Sequence, residues 1–260
     1  MLVKRLLTAI IGIPLTILII WNGGSLFLAA ITIIVLLALR EMINMLCKDN
    51  IYPLKFLTYI YGVTLIIQTY IYKDNYLMLL FFIYFLLLSF IIVFQKIKFE
   101  SIVYSLFIVF YVPFLIRYLV LLRMQPQGFL FILTVFILTW TSDTGAFFIG
   151  KRFGKNKLSP SISPNKTVEG AIGGIFFSAV AAIILASLFL NINTFYAVIL
   201  GIIISISGQI GDLFESFIKR QIGVKDSGDI LPGHGGILDR FDSLMFTGPT
   251  FYYIFKLFVI

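Results

Sequence analysis

Nine long stretches of almost purely apolar residues are the strongest structural signal in this 260-residue chain. A helix needs about 20 residues to cross about 30 Å of hydrocarbon, and most of these stretches approach that length. They lie at 6–21, 25–39, 57–72, 76–94, 101–122, 129–149, 170–190, 195–211 and 241–259. Because the stretches are continuously apolar rather than alternating, they predict membrane helices and not the strands of a barrel. We therefore predict an all-α fold, a polytopic integral membrane bundle of about nine transmembrane helices.

The composition excludes several other classes of protein. Hydrophobic residues make up 60% of the chain and charged residues only 12%, whereas a soluble domain has about 25% charged residues. The single cysteine, Cys47, excludes an internal disulfide. Two of the nine stretches are unusual, because the second is short and the fifth contains Pro113 and Arg117.

The positions of the basic residues predict the orientation of the chain. Sixteen of the 20 Lys and Arg residues lie in connections on the side of the N-terminus, and two lie in connections on the other side. Cytoplasmic loops of membrane proteins carry such an excess of positive charge. We therefore expect a multi-pass protein of the cell inner (plasma) membrane, with its N-terminus in the cytoplasm and its C-terminus outside.

The acidic residues are distributed unevenly along the chain. Residues 143–242 contain eight of the 12 Asp and Glu residues. This predicts two regions: an N-terminal transmembrane scaffold at 1–128 and a C-terminal catalytic region at 129–260. The longest polar connections, about 150–169 and 213–240, are expected to be cytoplasmic loops of the catalytic region.

Three aspartates flank the second of these loops. Asp212 follows the eighth apolar stretch, where an ionised carboxylate is costly unless something compensates it. Asp239 and Asp242 open the ninth stretch, and their spacing places both on one face of a helix. If the two helices are neighbours, three carboxylates converge and suit a hard cation such as Mg²⁺. Lys219, Arg220 and Lys225 of the same loop lie beside these aspartates in the sequence.

Carboxylates that bind a metal beside basic residues that bind phosphate are typical of phosphoryl- or nucleotidyl-transfer sites. A purely structural alternative is that Asp239 caps a helix and that Asp242 lies in its favourable first turn. In that case the Lys and Arg residues would only set topology. A helix cap does not, however, explain Asp212.

Two further segments contain candidate site residues. The loop Pro232–Gly236 holds His234, the only histidine, between glycines whose backbone N–H groups can approach phosphate. Asp143 lies inside an apolar stretch and precedes a basic loop that contains Lys166. Topology and an N-cap at Thr167 explain that loop equally well. The chain contains neither a Walker pattern nor a G-x-G-x-x-G motif.

Residues 216–242 resemble the signature of the phosphatidate cytidylyltransferases, also called CDP-diacylglycerol synthases. The matching positions are Ser216, Ile218, Lys219, Arg220, Lys225, Asp226, Gly228, Pro232, His234, Gly235, Gly236, Ile237, Asp239, Arg240, Phe241 and Asp242. The upstream matches are 143–146, Gly150, 153–155 and 163–170. The first 130 residues contain no motif that we can match.

The resemblance implies the reaction of CTP and phosphatidate to CDP-diacylglycerol and pyrophosphate, with Mg²⁺, in a homodimer that binds no nucleic acid. The residues assigned to metal binding and catalysis are Asp212, Asp239 and Asp242 as metal ligands, and Lys219, Arg220 and His234 as phosphate contacts. Further substrate-binding residues are Asp143, Lys166, Ser216, Lys225, Asp226, Gly235, Gly236 and Arg240. The lipid phosphate is already ionised at neutral pH, so we expect neither a catalytic triad nor a covalent intermediate.

Other functions stay open at this point. A CTP-dependent lipid or polyprenol kinase would use similar groups, and an ion-coupled transporter would also place aspartates at membrane depth. A CDP-alcohol phosphotransferase is less compatible, because its aspartate pattern is absent from the sequence. A non-catalytic scaffold would leave the cluster of acids and bases unexplained.

Overall fold

The computed structural model describes residues 2–94, 97–190, 192–230 and 235–258. The helices are α1 Leu2–Asn22, α2 Gly24–Lys48, α3 Lys55–Tyr72, α4 Leu77–Phe94, α5 Phe99–Tyr111, α6 Pro113–Arg123, α7 Gly128–Phe153, α8 Val168–Leu185, α9 Thr194–Gln221 and α10 Leu238–Phe258. A π-helical turn, Ala186–Leu190, continues α8. Two antiparallel strands, β1 Lys157–Ser159 and β2 Ser163–Thr167, form a hairpin between α7 and α8. Each predicted apolar stretch overlaps a helix, and the fifth overlaps two.

Six segments among the described residues are long and apolar enough to cross a membrane, which supports a multi-pass membrane protein. They are Gly24–Lys48, Leu77–Phe94, Phe99–Arg123, Gly128–Phe153, Val168–Leu190 and Thr194–Gln221. The helices α3 and α10 coincide with two further predicted spans, but their sequences contain more polar residues. The number of nine spans and the cytoplasmic N-terminus stay predictions.

The fifth apolar stretch is divided between α5 and α6 at Pro113. Proline has no N–H group and favours the first turn of a helix, so a new helix begins there. Arg117 of α6 is only 1% exposed, and two contacts compensate its buried positive charge. Its guanidinium pairs with Asp74 at 3.0 Å, and it lies over the ring of Tyr118 at 4.8 Å from the centroid.

The chain divides into two compact units. One comprises residues 1–124 together with 226–238, and the other comprises 125–225 together with 239–260. The first unit contains an apolar cluster that joins α3, α4 and α5. Its buried members are Tyr61, Leu65, Tyr84, Leu88, Ile102 and Val109. The signature segment 226–238 is thus part of the unit that contains the N-terminal helices.

Small and hydroxyl-bearing residues join the helices of the second unit. Ser142 on α7 and Ser205 on α9 share a hydrogen bond of 2.7 Å. Gln209 on α9 donates to the carbonyl of Ala171 on α8 at 3.1 Å. A side chain at Gly201 would meet the Cα of Ala179 at 2.6 Å. Such contacts suit helices in lipid, where close backbone approach and interhelical hydrogen bonds replace hydrophobic burial.

Candidate active site

A glycine brings α9 and α10 close together beside two of the predicted site residues. A Cβ added at Gly211 would lie 2.6 Å from the backbone oxygen of Asp242, so only glycine permits this approach. Asp212, the next residue, and Asp242 lie within electrostatic range of each other and of Asp143 on α7. Three carboxylates from three different helices therefore share one region of the second unit.

We expect Gly211→Ala to weaken this packing. The added methyl group would force α9 away from α10, and overpacking of this kind costs about 1–3 kcal/mol. Thermal unfolding in detergent should show a melting temperature lowered by several degrees. Gly12→Ala in α1 is the matched control, because its Cβ would meet nothing within 4 Å. A melting temperature for Gly211→Ala equal to that of the control would contradict the expectation.

Lys166 supplies the counter-charge for Asp212. Its Nζ lies 2.6 Å from Asp212 Oδ2, and Ser216 Oγ donates to Oδ1 of the same aspartate at 3.4 Å. Lys166 belongs to β2, and the adjacent Thr167 caps α8 by accepting a hydrogen bond from the N–H of Gly170 at 3.1 Å. The structure therefore brings together the predicted residues Asp212, Lys166 and Ser216.

The basic hairpin is shaped by Glu169, which the sequence analysis did not single out. Its carboxylate accepts hydrogen bonds from the backbone N–H of Lys155 at 3.0 Å and from the side chain of Asn156 at 2.8 Å. Arg220 on α9 extends to the same hairpin, where its Nε donates to the carbonyl of Ile162 at 3.3 Å. Its Nη1 donates to the carbonyl of Val224 at 3.1 Å. Arg220 and the hairpin thus form one basic surface.

Lys219 lies between two acids in a second cluster. Its Nζ is 2.5 Å from Glu215 Oε2 and 2.6 Å from Asp239 Oδ1. Glu215 is fully buried, and the side chains of Lys219 and Asp239 are about nine-tenths buried. The predicted residues Lys219 and Asp239 are therefore direct partners, and Glu215 is a member that the sequence analysis missed.

The remaining predicted residues differ in how far the structure describes them. Lys225, Asp226 and Arg240 are exposed, and Arg240 lies within electrostatic range of Asp143. Gly235 has φ +80°, a conformation that favours glycine, and Gly236 is buried. Residues 231–234, including the predicted phosphate contact His234, lie outside the described residues.

A buried acid from the first unit holds the signature segment. Glu41 on α2 is 3% exposed. Its carboxylate accepts hydrogen bonds from the backbone N–H of Ile237 at 2.9 Å and of Leu238 at 2.8 Å, and from Ser227 Oγ at 3.1 Å. The N–H groups at the start of α10 are thus bonded by Glu41. Asp239 lies inside the first turn of α10, which does not support the cap that the structural alternative assigned to it.

Glu41 and Glu215 were missed for the same reason. The predicted spans ended at residues 39 and 211, whereas α2 continues to Lys48 and α9 to Gln221. Extending those helices would have shown Glu41 as an acid inside a membrane helix, which indicates function by default. It would also have shown Glu215 and Lys219 as a helical pair four residues apart.

The acids provide the oxygen donors that Mg²⁺ prefers. As the side chains lie, Asp212 and Asp239 are each paired with a lysine. Within the part of the chain that the structure describes, no three His, Cys, Asp or Glu side chains converge as a ready-made metal site. The chemistry of the donors fits the ion, and the three predicted ligands stay a prediction.

A comparison of the sequence with known families identifies the family of this chain. The profile of the Cytidylyltransferase family matches residues 3–258. The chain belongs to that family. It is therefore an enzyme of the nucleotidyltransferase class, as the sequence predicted.

Individual relatives match over nearly the whole chain. A protein of Staphylococcus haemolyticus named phosphatidate cytidylyltransferase is 39% identical over 254 residues, which cover 94% of this chain and 95% of the relative. A Staphylococcus aureus protein of the same name is 40% identical over 251 residues with the same coverage. A Bacillus subtilis protein of that name is 47% identical over 154 residues, 57% of this chain and 56% of its own.

Proposed function

We propose that the chain is a phosphatidate cytidylyltransferase, which converts CTP and phosphatidate to CDP-diacylglycerol and pyrophosphate. The observation that carries this proposal is the grouping of Asp143, Asp212 and Asp242, which come from three different helices, with Lys166 of the polar hairpin. Such a site can serve a polar nucleotide and a membrane lipid together. The names of the relatives, which match along 94% of the chain, support the same substrates.

The reaction joins two anions. An oxygen of the lipid phosphate forms a bond to the α-phosphorus of CTP, while the bond from that phosphorus to the bridging oxygen breaks and pyrophosphate leaves. The phosphate monoester of the lipid is already ionised, so no residue needs to remove a proton from it. The protein's task is to align the reactants and neutralise their charge.

Asp212, Asp239 and Asp242 are the residues that would hold Mg²⁺. When bound, the ion supplies positive charge at the phosphates that react. Lys166 and Lys219 are the positively charged partners of Asp212 and Asp239, respectively. We assign Lys219, Arg220 and Lys225, with His234 and the backbone at Gly235 and Gly236, to phosphate binding. Ser216, Asp226 and Arg240 complete the substrate-binding set.

The cellular setting is part of the proposal. The excess of Lys and Arg on one side of the chain supports a multi-pass protein of the inner (plasma) membrane whose N-terminus is cytoplasmic. CTP would then enter from the cytoplasm. We also propose that the enzyme acts as a homodimer.

The direct test is an assay of the purified protein with radiolabelled CTP and phosphatidate in detergent. We expect label from the α-phosphate in the lipid product and release of pyrophosphate. Removing divalent cations with EDTA should reduce turnover by at least about 10²-fold, because metal stabilisation of such a transition state is worth several kcal/mol. Added Mg²⁺ should restore it. Full turnover without divalent cations would contradict the metal assignment.

The same assay separates the alternatives. A CTP-dependent lipid or polyprenol kinase would transfer the γ-phosphate and release CDP instead of pyrophosphate. An ion-coupled transporter would move ions across liposomes without consuming CTP. Either result, in place of CDP-diacylglycerol formation, would overturn the proposal.

A further inference from the structure

Glu41 lies on α2, far in sequence from the signature motif, and it is not one of the motif's residues. Its two carboxylate oxygens receive all three of the hydrogen bonds that join it to Ser227, Ile237 and Leu238. These bonds reach both ends of the segment 227–238. The nine residues between them, 228–236, include the glycines and the histidine of the signature.

The segment is also shaped around the carboxylate. A Cβ at Gly228 would lie 2.7 Å from Glu41 Oε1, and a Cβ at Gly236 would overlap both Ser227 Oγ and Glu41 Oε2. Two glycines of the signature therefore make room for Glu41. This explains their residue type by packing, without any requirement for unusual backbone angles.

A carboxylate in this position has a cost that the segment offsets. An acid in a membrane helix costs several kcal/mol unless it is compensated. Among the described residues, no Lys or Arg nitrogen pairs with Glu41. Its partners are two N–H groups at the start of a helix and one hydroxyl, which are suitable donors to a negative charge. If the segment moved away, Glu41 would lose these donors and those backbone N–H groups would lose their acceptor.

We propose that Glu41 is a positioning residue: it holds Ser227 and residues 235–238, so that the backbone at Gly235 and Gly236 is ready to bind the phosphates of CTP. The inference rests on the proposed function. Fixing residues 235–238 before the substrate arrives reduces the ordering cost of binding. Without Glu41, these residues occupy their binding conformation only part of the time, and the apparent affinity for CTP falls by that fraction.

The test compares Glu41→Gln with Glu100→Gln, an exposed glutamate of the same unit. Gln retains the size of Glu but presents an amide NH₂ to at least one N–H or O–H donor. If residues 235–238 then hold their binding conformation about 1–10% of the time, the KM for CTP rises about 10- to 100-fold. The KM for phosphatidate should stay within about twofold of the control. This difference separates a positioning role from general destabilisation, which would lower the overall turnover without a selective rise in the KM for CTP.

Hydrogen exchange provides a readout that does not depend on activity. In Glu41→Gln, the amides of Ile237 and Leu238 should exchange faster than in Glu100→Gln, while exchange within α7–α9 stays unchanged. Gly228→Ala is a second route to the same effect, because its methyl group displaces the carboxylate. The two changes together should raise the KM for CTP no more than the larger single change, since both act on one contact.

The outcomes are distinct. Unchanged exchange at Ile237 and Leu238 together with an unchanged KM for CTP would overturn the role of Glu41. If Glu41→Gln does not fold, Gly228→Ala decides, and a KM for CTP equal to that of the control would overturn the role. A wild-type protein without cytidylyl transfer would refute the proposed function. The exchange measurement would still show whether Glu41 holds the segment, and CTP titration would show whether the segment binds nucleotide.

Discussion

Asp239→Asn should reduce cytidylyl transfer by about 10³-fold while the protein remains folded. Asn retains an oxygen that can accept the hydrogen bond from Lys219 Nζ, which lies 2.6 Å from Asp239 Oδ1. It loses the negative charge that a bound cation requires, and electrostatic groups of this kind contribute about 10²–10³-fold each. Turnover measured against Mg²⁺ concentration should show that the variant requires more of the ion.

Asp229→Asn is the matched control for that change. Asp229 is an exposed aspartate of the signature segment, and nothing assigns it to the site. Its variant should retain wild-type turnover and the wild-type Mg²⁺ requirement. Near-normal turnover of Asp239→Asn would show that Asp239 is not a metal ligand.

Lys219→Met should lower the stability of the protein and abolish its activity. The change leaves Glu215, which is fully buried, without the ammonium group that lies 2.5 Å away. Breaking a buried ion pair from one side costs about 3–5 kcal/mol, because the remaining charge is uncompensated. Thermal unfolding in detergent should therefore show a clearly lowered melting temperature, and turnover should be lost with the phosphate contact.

A double variant separates these two losses. Lys219→Met combined with Glu215→Gln removes the buried negative charge as well, so most of the lost stability should return. Turnover should stay low, because the double variant still lacks the cation that we assign to phosphate binding. Recovery of both properties would show that Lys219 serves only as a structural counter-ion of Glu215.

The apolar pattern predicted where the helices lie because the membrane imposes one strong constraint. Backbone groups in hydrocarbon must bond within their own segment, so each long apolar stretch becomes a helix. The same pattern marks only the part of a helix that lies in hydrocarbon. Hydrogen bonding along α2 and α9 continues past the apolar residues, and the missed acids Glu41 and Glu215 lie in those continuations.

The polar hairpin was not predicted as a pair of strands. Its two strands contain three and five residues. Strands this short show no visible alternation of polar and apolar residues among the surrounding glycines and lysines. The N-cap at Thr167 was predicted as one reading of the same loop, because capping depends on neighbours three residues apart. Local interactions were thus readable in the sequence, and the pairing of the strands was not.

The class of the protein, the positions of its apolar helices and the residues of its signature follow from the amino-acid sequence alone. Each of these depends on composition or on spacing along the chain. The long-range partners became visible in the three-dimensional structure alone: Lys166 with Asp212, Lys219 with Asp239, and Glu41 with Ser227, Ile237 and Leu238. The reason is that most of these contacts join segments many residues apart. Spacing along the chain does not show which segments pack together, whereas close approaches such as that of Gly211 to Asp242 are seen only in the folded protein.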